Sequence, residues 1–168
     1  MIRHVDPGDA ASIAGIYAHH VLHGTASFDT VPPTTDEWRL KLVDIVARGW
    51  PFLVMEEDGA VTGYAYATQF RDRPAYAETC ENSIYIAPDR TGSGLGTALL
   101  AALLPAAAEA GFRQMIAVVG GGEPASVALH ERFGFVVAGR MHAVGRKFGQ
   151  LLDTVYLQRA LVAPDDIT

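Results

Sequence analysis

The sequence is short of cysteine, of positive charge and of long apolar runs, and each shortage removes a class of function. Its 168 residues hold one cysteine, Cys80, which excludes an intrachain disulfide and a thiolate metal cluster. That usage suits a reducing compartment, so a cytoplasmic protein is expected. Net charge is −6 at pH 7, so no basic surface is offered to nucleic acid or to an anionic membrane, and neither partner is expected. The longest apolar run, Leu95 to Ala108, is too short to span a bilayer and contains Pro105. No apolar stretch follows the charges of Met1-Ile2-Arg3-His4-Val5-Asp6, so no signal peptide is expected. The histidines show no metal-ligand grouping: His19 and His20 are adjacent and face different sides of a helix, while His4, His23 and His142 are scattered. No metal is expected.

What remains is ordinary globular composition, 49% hydrophobic and 19% charged, at a length that suits one domain over 1–168 with a disordered tail at 163–168. Ile2–Val5 reads as a strand. Asp9 then caps a helix with Ile13, Ile16, Tyr17 and His20/Val21 at helical spacing. A second helix starts at Thr35, with Asp36-Glu37 in its first turn and Gly49 past its end. Phe52–Met55 and Val61–Thr68 flank Asp58-Gly59, a hairpin signal. Thr79–Ile86 is a strand, and Gly94 to about Ala110 a helix that Pro105 should kink or shorten. Met115–Val119 reads as a strand buried on both faces, Pro124 to about Phe133 as a helix, and 135–142 and 153–159 as two closing strands. The order β-α-α-β-β-β-α-β-α-β-β predicts an α/β (α+β) fold. One mixed sheet with helices on both faces satisfies it, and a doubly wound parallel sheet does not.

Most of the chemical content lies in Arg90-Thr91-Gly92-Ser93-Gly94-Leu95-Gly96-Thr97, which follows the apolar strand Ile84-Tyr85-Ile86 and opens a helix. N–H groups at a helix start are unpaired and sit at the positive end of its dipole, and glycines let an anion approach the main chain. A Walker-type loop needs Gly-Lys-Ser/Thr, and no lysine is present. A Rossmann fingerprint needs a glycine at position 97, which is Thr97, and an acidic strand end about 20 residues on, which is missing. Taken alone, the loop also fits a glycine-rich turn with no ligand.

The loop resembles the acyl-CoA pyrophosphate loop of the GNAT N-acetyltransferase superfamily, Gln/Arg-x-x-Gly-x-Gly/Ala. Its neighbours extend the likeness. Glu81-Asn82-Ser83-Ile84-Tyr85-Ile86-x-Pro-Asp and Ala125-Ser126-Val127-x-Leu129-His130-Glu131-x-Phe133-Gly134-Phe135 look like the phosphinothricin / methionine sulfoximine (methionine sulfone) acetyltransferase branch. So do Thr25-Ala26-Ser27-Phe28-Asp29, Gly49-Trp50-Pro51 and Gly145-x-Lys147-Phe148-Gly149, so that the motifs run from about residue 15 to 160. Two positions depart from the pattern. The opening Gln/Arg falls on Thr91, with Arg90 one residue early, and the usual asparagine after the following strand is Glu123.

The resemblance implies a GNAT-like, mostly antiparallel sheet, splayed between the strand at 79–86 and the strand at 114–119. It implies acetyl-CoA as acyl donor, bound by Thr91, Gly92, Ser93, Gly94, Leu95, Gly96, Thr97 and Glu123. The backbone of Ile84, Tyr85 and Ile86 would hold the pantetheine arm, one N–H resting on the thioester oxygen.

Acetyl transfer to an amine needs a proton acceptor, a polarised carbonyl and protonation of the departing thiolate. By resemblance Glu81 is the general base; by its residue type alone it also fits a solvated carboxylate on an edge strand. His130 sits where many relatives carry a tyrosine that protonates the thiolate. An imidazole there could do the same, hydrogen-bond Glu81, or simply be half-buried beside Leu129 and Phe133. Cys80 has no identifiable base and points away from Glu81, so it reads as structural.

Arginine forks suit a carboxylate or phosphinate, and Arg71 and Arg73 flank Asp72 in the loop before the Glu81 strand. By resemblance that loop, with Glu81, Asn82, Ser83 and Phe28, contacts an amino-acid-like acceptor, and Tyr66 and Tyr76 could help to wall the pocket. The expected activity is therefore acetylation, by direct attack in a ternary complex, of the α-amine of a phosphinothricin, methionine sulfoximine or methionine sulfone type of compound. The rivals are another amine class (protein N-terminus, polyamine, aminoglycoside) and a non-catalytic acyl-CoA-binding sensor. A homodimer is implied, with Lys147-Phe148 near its interface.

Overall fold

Strands that alternate and helices with one apolar stripe each leave a sheet to be covered on both faces, and the computed structural model, which describes residues 1–162, has that arrangement. In chain order come β1 (Ile2–His4), α1 (Ala10–His23), α2 (Thr35–Ala47), β2 (Phe52–Glu57), β3 (Ala60–Gln69) and β4 (Thr79–Ile86). They continue with α3 (Leu95–Glu109), β5 (Gln114–Gly120), α4 (Pro124–Arg132), β6 (Val136–Lys147) and β7 (Gln150–Ala160). This is the expected order. The tail expected at 163–168 lies outside the described residues.

The sheet runs β1-β2-β3-β4-β5-β7-β6, and its one parallel pair is β4–β5. That pair is short. It begins at Thr79–Gln114 and ends at Asn82–Ala117, after which the two strands part, as the expected splay requires. One face packs α1 and α2, through Ile13, Trp38, Leu42 and Ile45, on Phe52, Val54 and Tyr64. The other packs α3, through Leu99, Leu100, Leu103, Leu104 and Ala107, on Ala65, Cys80, Met115 and Leu157.

Local chemistry sets the ends. Thr34 and Glu37 form a capping box at the start of α2, each side chain accepting from the other's backbone N–H. Asp9 precedes α1 but gives it no side-chain cap. Its carboxylate instead takes both Arg3 Nη atoms, at 2.8 and 2.9 Å, and the Asp6 N–H. Pro105 does not shorten α3, which continues to Glu109; Pro105 and Ala101, whose carbonyl loses its helical donor, both lie on the exposed side where water can replace it.

Two expectations are revised. β5 is fully buried on one face only, because Gln114, Ile116 and Val118 on the other are half-buried; α1 and α2 reach β2, β3 and β4 instead. The closing hairpin is longer than 135–142 and 153–159. A break in pairing between Met141 and Gly145, with Ala143 at φ 54°, absorbs the irregular stretch and lets β6 continue to Lys147. Among the described residues no helix is long and apolar enough to cross a membrane, and no group of three or more His, Cys, Asp or Glu side chains is placed to hold a metal ion.

Gly63 in β3 permits the close seat of α3. A Cβ there would lie 2.7 Å from Ile86 Cδ1, 3.2 Å from the Tyr85 carbonyl and 3.3 Å from Leu99 Cδ1. Gly63→Ala should therefore destabilise the protein by about 1–3 kcal/mol through overpacking, lowering Tm by roughly 2–4 °C per kcal/mol in thermal denaturation.

Candidate active site

Past Asn82 and Ala117 the gap between β4 and β5 is a cleft of about 670 Å³, within the usual range for small-molecule sites. Strand alternation divides its floor. Asn82, Ile84 and Ile86 face α3 and α4, while Glu81, Ser83 and Tyr85 face α1 and α2. The edge of β4 towards β5 has no strand partner from Ser83 to Ile86, so apart from the Ile86 carbonyl, which His20 meets, the backbone groups facing that edge are available to a ligand.

The glycine loop closes one end. Gly92 and Gly94 adopt φ 77° and 86°, a conformation that side-chain-bearing residues rarely adopt. Gly94 is the N-cap of α3 and supplies no side-chain cap. The first helical bond runs from Ala98 N–H to the Gly94 carbonyl at 3.1 Å, leaving the N–H groups of Leu95, Gly96 and Thr97 ahead of the helix ladder. Thr91, Gly92, Gly94, Gly96 and Thr97 line the cleft. Ser93 and Leu95 do not: the Ser93 hydroxyl donates to the Arg90 carbonyl, and Leu95 packs against the core. Arg90 is turned to Glu57 and Asp89, at 3.8 and 3.7 Å, so the anion-binding character of this end is a backbone property.

Glu123 also lines the cleft, and the structure gives it a local partner. Its carboxylate accepts from Ala125 N–H at 3.2 Å and Ser126 N–H at 2.7 Å, capping α4.

Glu81 lies on the α1/α2 face with Arg71 Nη1 3.5 Å from its Oε2. Burial holds its carboxyl above the ordinary value, opposed by the nearby charges of Arg71 and Lys41. Of the loop predicted to contact an acceptor, only Arg71 reaches this centre. Arg71, Asp72 and Arg73 are all exposed and none of them lines the cleft; Arg71 meets it through Glu81 alone, and the Arg73 carbonyl accepts from Gln69 Nε2.

His130 does not bond Glu81. The two sit on opposite faces of β4, and His130 pairs with Asn82, whose side chain accordingly turns to α4 and away from Arg71. Both are buried. Cys80 is fully buried, and burial pushes its thiol up to about 12, which leaves it no nucleophilic role.

Several lining residues escaped the sequence reading. Tyr17, read as part of a core stripe, donates to Asp29 Oδ2 at 2.6 Å and meets Ser27 Oγ at 2.8 Å. His20 donates from Nε2 to the Ile86 carbonyl at 2.8 Å. The chain's two lysines both serve the site's surroundings. Lys41 donates to Tyr66 Oη at 2.7 Å. Lys147, read as an interface residue, is buried and donates to the Ser27 carbonyl at 2.7 Å. Phe28 is held over the end of β5 between Gly120 and Gly145; a Cβ on Gly145 would lie 2.3 Å from its ring. A lone Gly-x-Lys-Phe-Gly string carries no sign of these long-range contacts.

A profile of the acetyltransferase (GNAT) family matches residues 13–135. The chain is 48% identical to the phosphinothricin N-acetyltransferase of Alcaligenes faecalis, covering 98% of this chain and 84% of that one. It is 39% identical to the L-methionine sulfoximine/L-methionine sulfone acetyltransferase of Salmonella typhimurium, covering 98% of each. The crystal structure of a GNAT superfamily phosphinothricin acetyltransferase from Sinorhizobium meliloti, in complex with AcCoA, superposes with a TM-score of 0.93 at 45% identity, over 95% of this chain and 87% of that one.

The cap on α4 is open to test. Glu123→Ala should cost about 1 kcal/mol of stability and Glu123→Asn much less, because asparagine is itself a good cap. Equal melting temperatures for Glu123→Ala and the parent protein would remove the capping role.

Proposed function

Since the chain belongs to the acetyltransferase (GNAT) family, we propose that it transfers the acetyl group of acetyl-CoA to the α-amine of a small amino-acid analogue of the phosphinothricin, methionine sulfoximine or methionine sulfone type. The observation that carries this reading is one cleft with an uncapped helix start at one end and, within it, a half-buried carboxylate that has the exposed Arg71 at 3.5 Å. The donor's pyrophosphate would lie against the N–H groups after Gly94, and its pantetheine along the free edge of Ile84–Ile86. The acceptor would approach from the α1/α2 face, its anionic group towards Arg71 and its amine towards Glu81.

In a ternary complex Glu81 takes a proton from the ammonium, directly or through water, and the freed lone pair forms the N–C bond. A β4 backbone N–H stabilises the developing oxyanion. The C–S bond then breaks, and CoA leaves as a thiolate that takes up, through water, the second proton shed by the new amide nitrogen. Arg71 has a second task. Its positive charge favours the ionised form of Glu81 and opposes the burial that raises its proton affinity.

We also infer a homodimer and a cytoplasmic setting. The first draws support from the apolar residues exposed on the terminal hairpin, including Val136, Val137, Phe148 and Leu151, and the second from the single buried cysteine. Light scattering should give twice the 18.0 kDa chain mass; a monomer at micromolar concentration overturns the dimer.

The deciding experiment is an acceptor screen read by CoA thiol release. Rapid turnover of the three named compounds is expected, and slow turnover of them beside a fast protein N-terminus, polyamine or aminoglycoside reassigns the acceptor. No thiol release with any amine would favour an acyl-CoA sensor. Glu81→Gln should lower kcat by about 10²–10⁴-fold. Because burial raises the Glu81 value above the usual 4.5, activity should fall as pH drops through that raised value. Arg71→Met, which removes a stabilising cation, should move this acidic limb to higher pH. An unmoved limb would detach Arg71 from Glu81.

A further inference from the structure

Where a sheet divides, something must hold the vertex, and here it is polar. Asn82–Ala117 is the last backbone pair joining β4 to β5, and the Asn82 side chain meets His130 of α4, the two residues being 7% and 4% exposed. His130 Nδ1 lies 2.7 Å from the Ser126 carbonyl. A carbonyl only accepts, so Nδ1 carries the proton; Nε2 lies 3.1 Å from Asn82 Nδ2 and 3.3 Å from Asn82 Oδ1, and with the nearer amide N–H turned to it Nε2 presents a lone pair. Asn82 Nδ2 lies 3.1 Å from that Nε2 and 3.4 Å from Met115 Sδ, so its two hydrogens serve α4 and β5 at once. The imidazole packs edge-on to Phe135, with ring centroids 5.0 Å apart. Three elements that diverge around the cleft are thus tied at one point.

We propose that Asn82 and His130 form a neutral tie that fixes β5 and α4 against the free edge of β4, so that His130 positions the thioester's seat and does not protonate the leaving thiolate. The inference rests on the acetyl-transfer reading above. An imidazole that donates through one nitrogen and accepts through the other has no proton to give to sulfur. A second proton on Nε2 would confront the Asn82 N–H at 3.1 Å; Asn82 Oδ1, at 3.3 Å, could take it only if the amide turned over and gave up its N–H contact with Met115 Sδ, and burial already lowers the His130 value. Among the described residues no carboxylate bonds His130 to favour the charged form. Glu123 is committed to the first N–H groups of α4, Glu131 is exposed on that helix's turn, Arg132 lines the cleft as a cation that would disfavour an imidazolium, Arg159 of β7 donates to the Phe133 carbonyl, and Glu81 is across β4. Ser126 and Leu129 of α4 line the cleft, so a shift of α4 moves the wall against which the donor lies.

The test begins on the unmodified protein. Imidazole ¹⁵N spectra, with and without acetyl-CoA, should show His130 as the neutral Nδ1–H tautomer between about pH 5.5 and 8. An imidazolium or an Nε2–H tautomer in that range overturns the proposal, and this readout needs no acceptor, so it stands apart from the screen. His130→Gln and Asn82→Leu should each raise KM for acetyl-CoA by about tenfold with acceptor KM changed less than about twofold, and the double variant should be no worse than the poorer single. The alkaline side of the kcat–pH profile should keep its shape in His130→Gln. Loss of an alkaline limb in that variant, or additive effects of the two substitutions, would overturn the tie.

Discussion

Backbone groups left without partners where β4 and β5 separate are the constraint around which this molecule is organised. Paired strands satisfy each other's N–H and C=O groups, so a sheet that opens in its middle forfeits several bonds. Only four pairs, Thr79–Gln114 to Asn82–Ala117, hold the two strands together before they part. The surrounding elements prevent collapse of the gap. On one side α3 is drawn close to β3 through Gly63, and on the other α4 is capped by Glu123 and tied to β4 through Asn82. Across the end of β5, the 25–29 segment is pinned by Lys147 and Tyr17, with Phe28 held between two glycines.

On the proposed reading the cleft so produced takes the anionic donor in a protein of net charge −6. Charge of the whole chain and charge of the site are separate quantities. At the glycine loop the positive potential comes from helix N–H groups, and the nearest arginine, Arg90, is occupied with carboxylates. This explains how a threonine can stand at position 91, where the superfamily usually has Gln or Arg. On the proposed reading backbone donors hold the pyrophosphate, and the side chain at 91 is not required to be charged.

Much of this was legible in the residues. Asp58-Gly59, the alternation of Thr79–Ile86 and the loop before α3 are local signals, and local signals gave the element order; the splay followed only from the family resemblance. Contacts between distant segments were less accessible. Lys147 and Ser27 lie 120 residues apart, and nothing near either announces their bond. The pairing of His130 with Glu81 is instructive for another reason, because strand parity alone argues against it. Glu81 and Asn82 are neighbours on β4, so a helix packed on one face of the sheet meets only one of them. Applied to both, the alternation used to set Cys80 aside would have sent His130 to Asn82. The extension of β6 was hidden because Ala143-Val144-Gly145 breaks the alternation, and a residue at positive φ repaired it without a glycine at that position.

The same parity separates two kinds of buried polar group at the site. Glu81 is only loosely paired, with its nearest cation at 3.5 Å on a half-exposed arginine, and burial leaves its proton affinity raised. Such a group retains free energy that a substrate ammonium can draw on. His130 has both nitrogens matched by short contacts and its ring enclosed. A fully satisfied group of that kind gains nothing by giving up or taking a proton; what it contributes is a fixed distance. In the proposed mechanism one face of β4 therefore holds the group that moves a proton. The other holds the polar pair that keeps the opening between the strands constant while it does so.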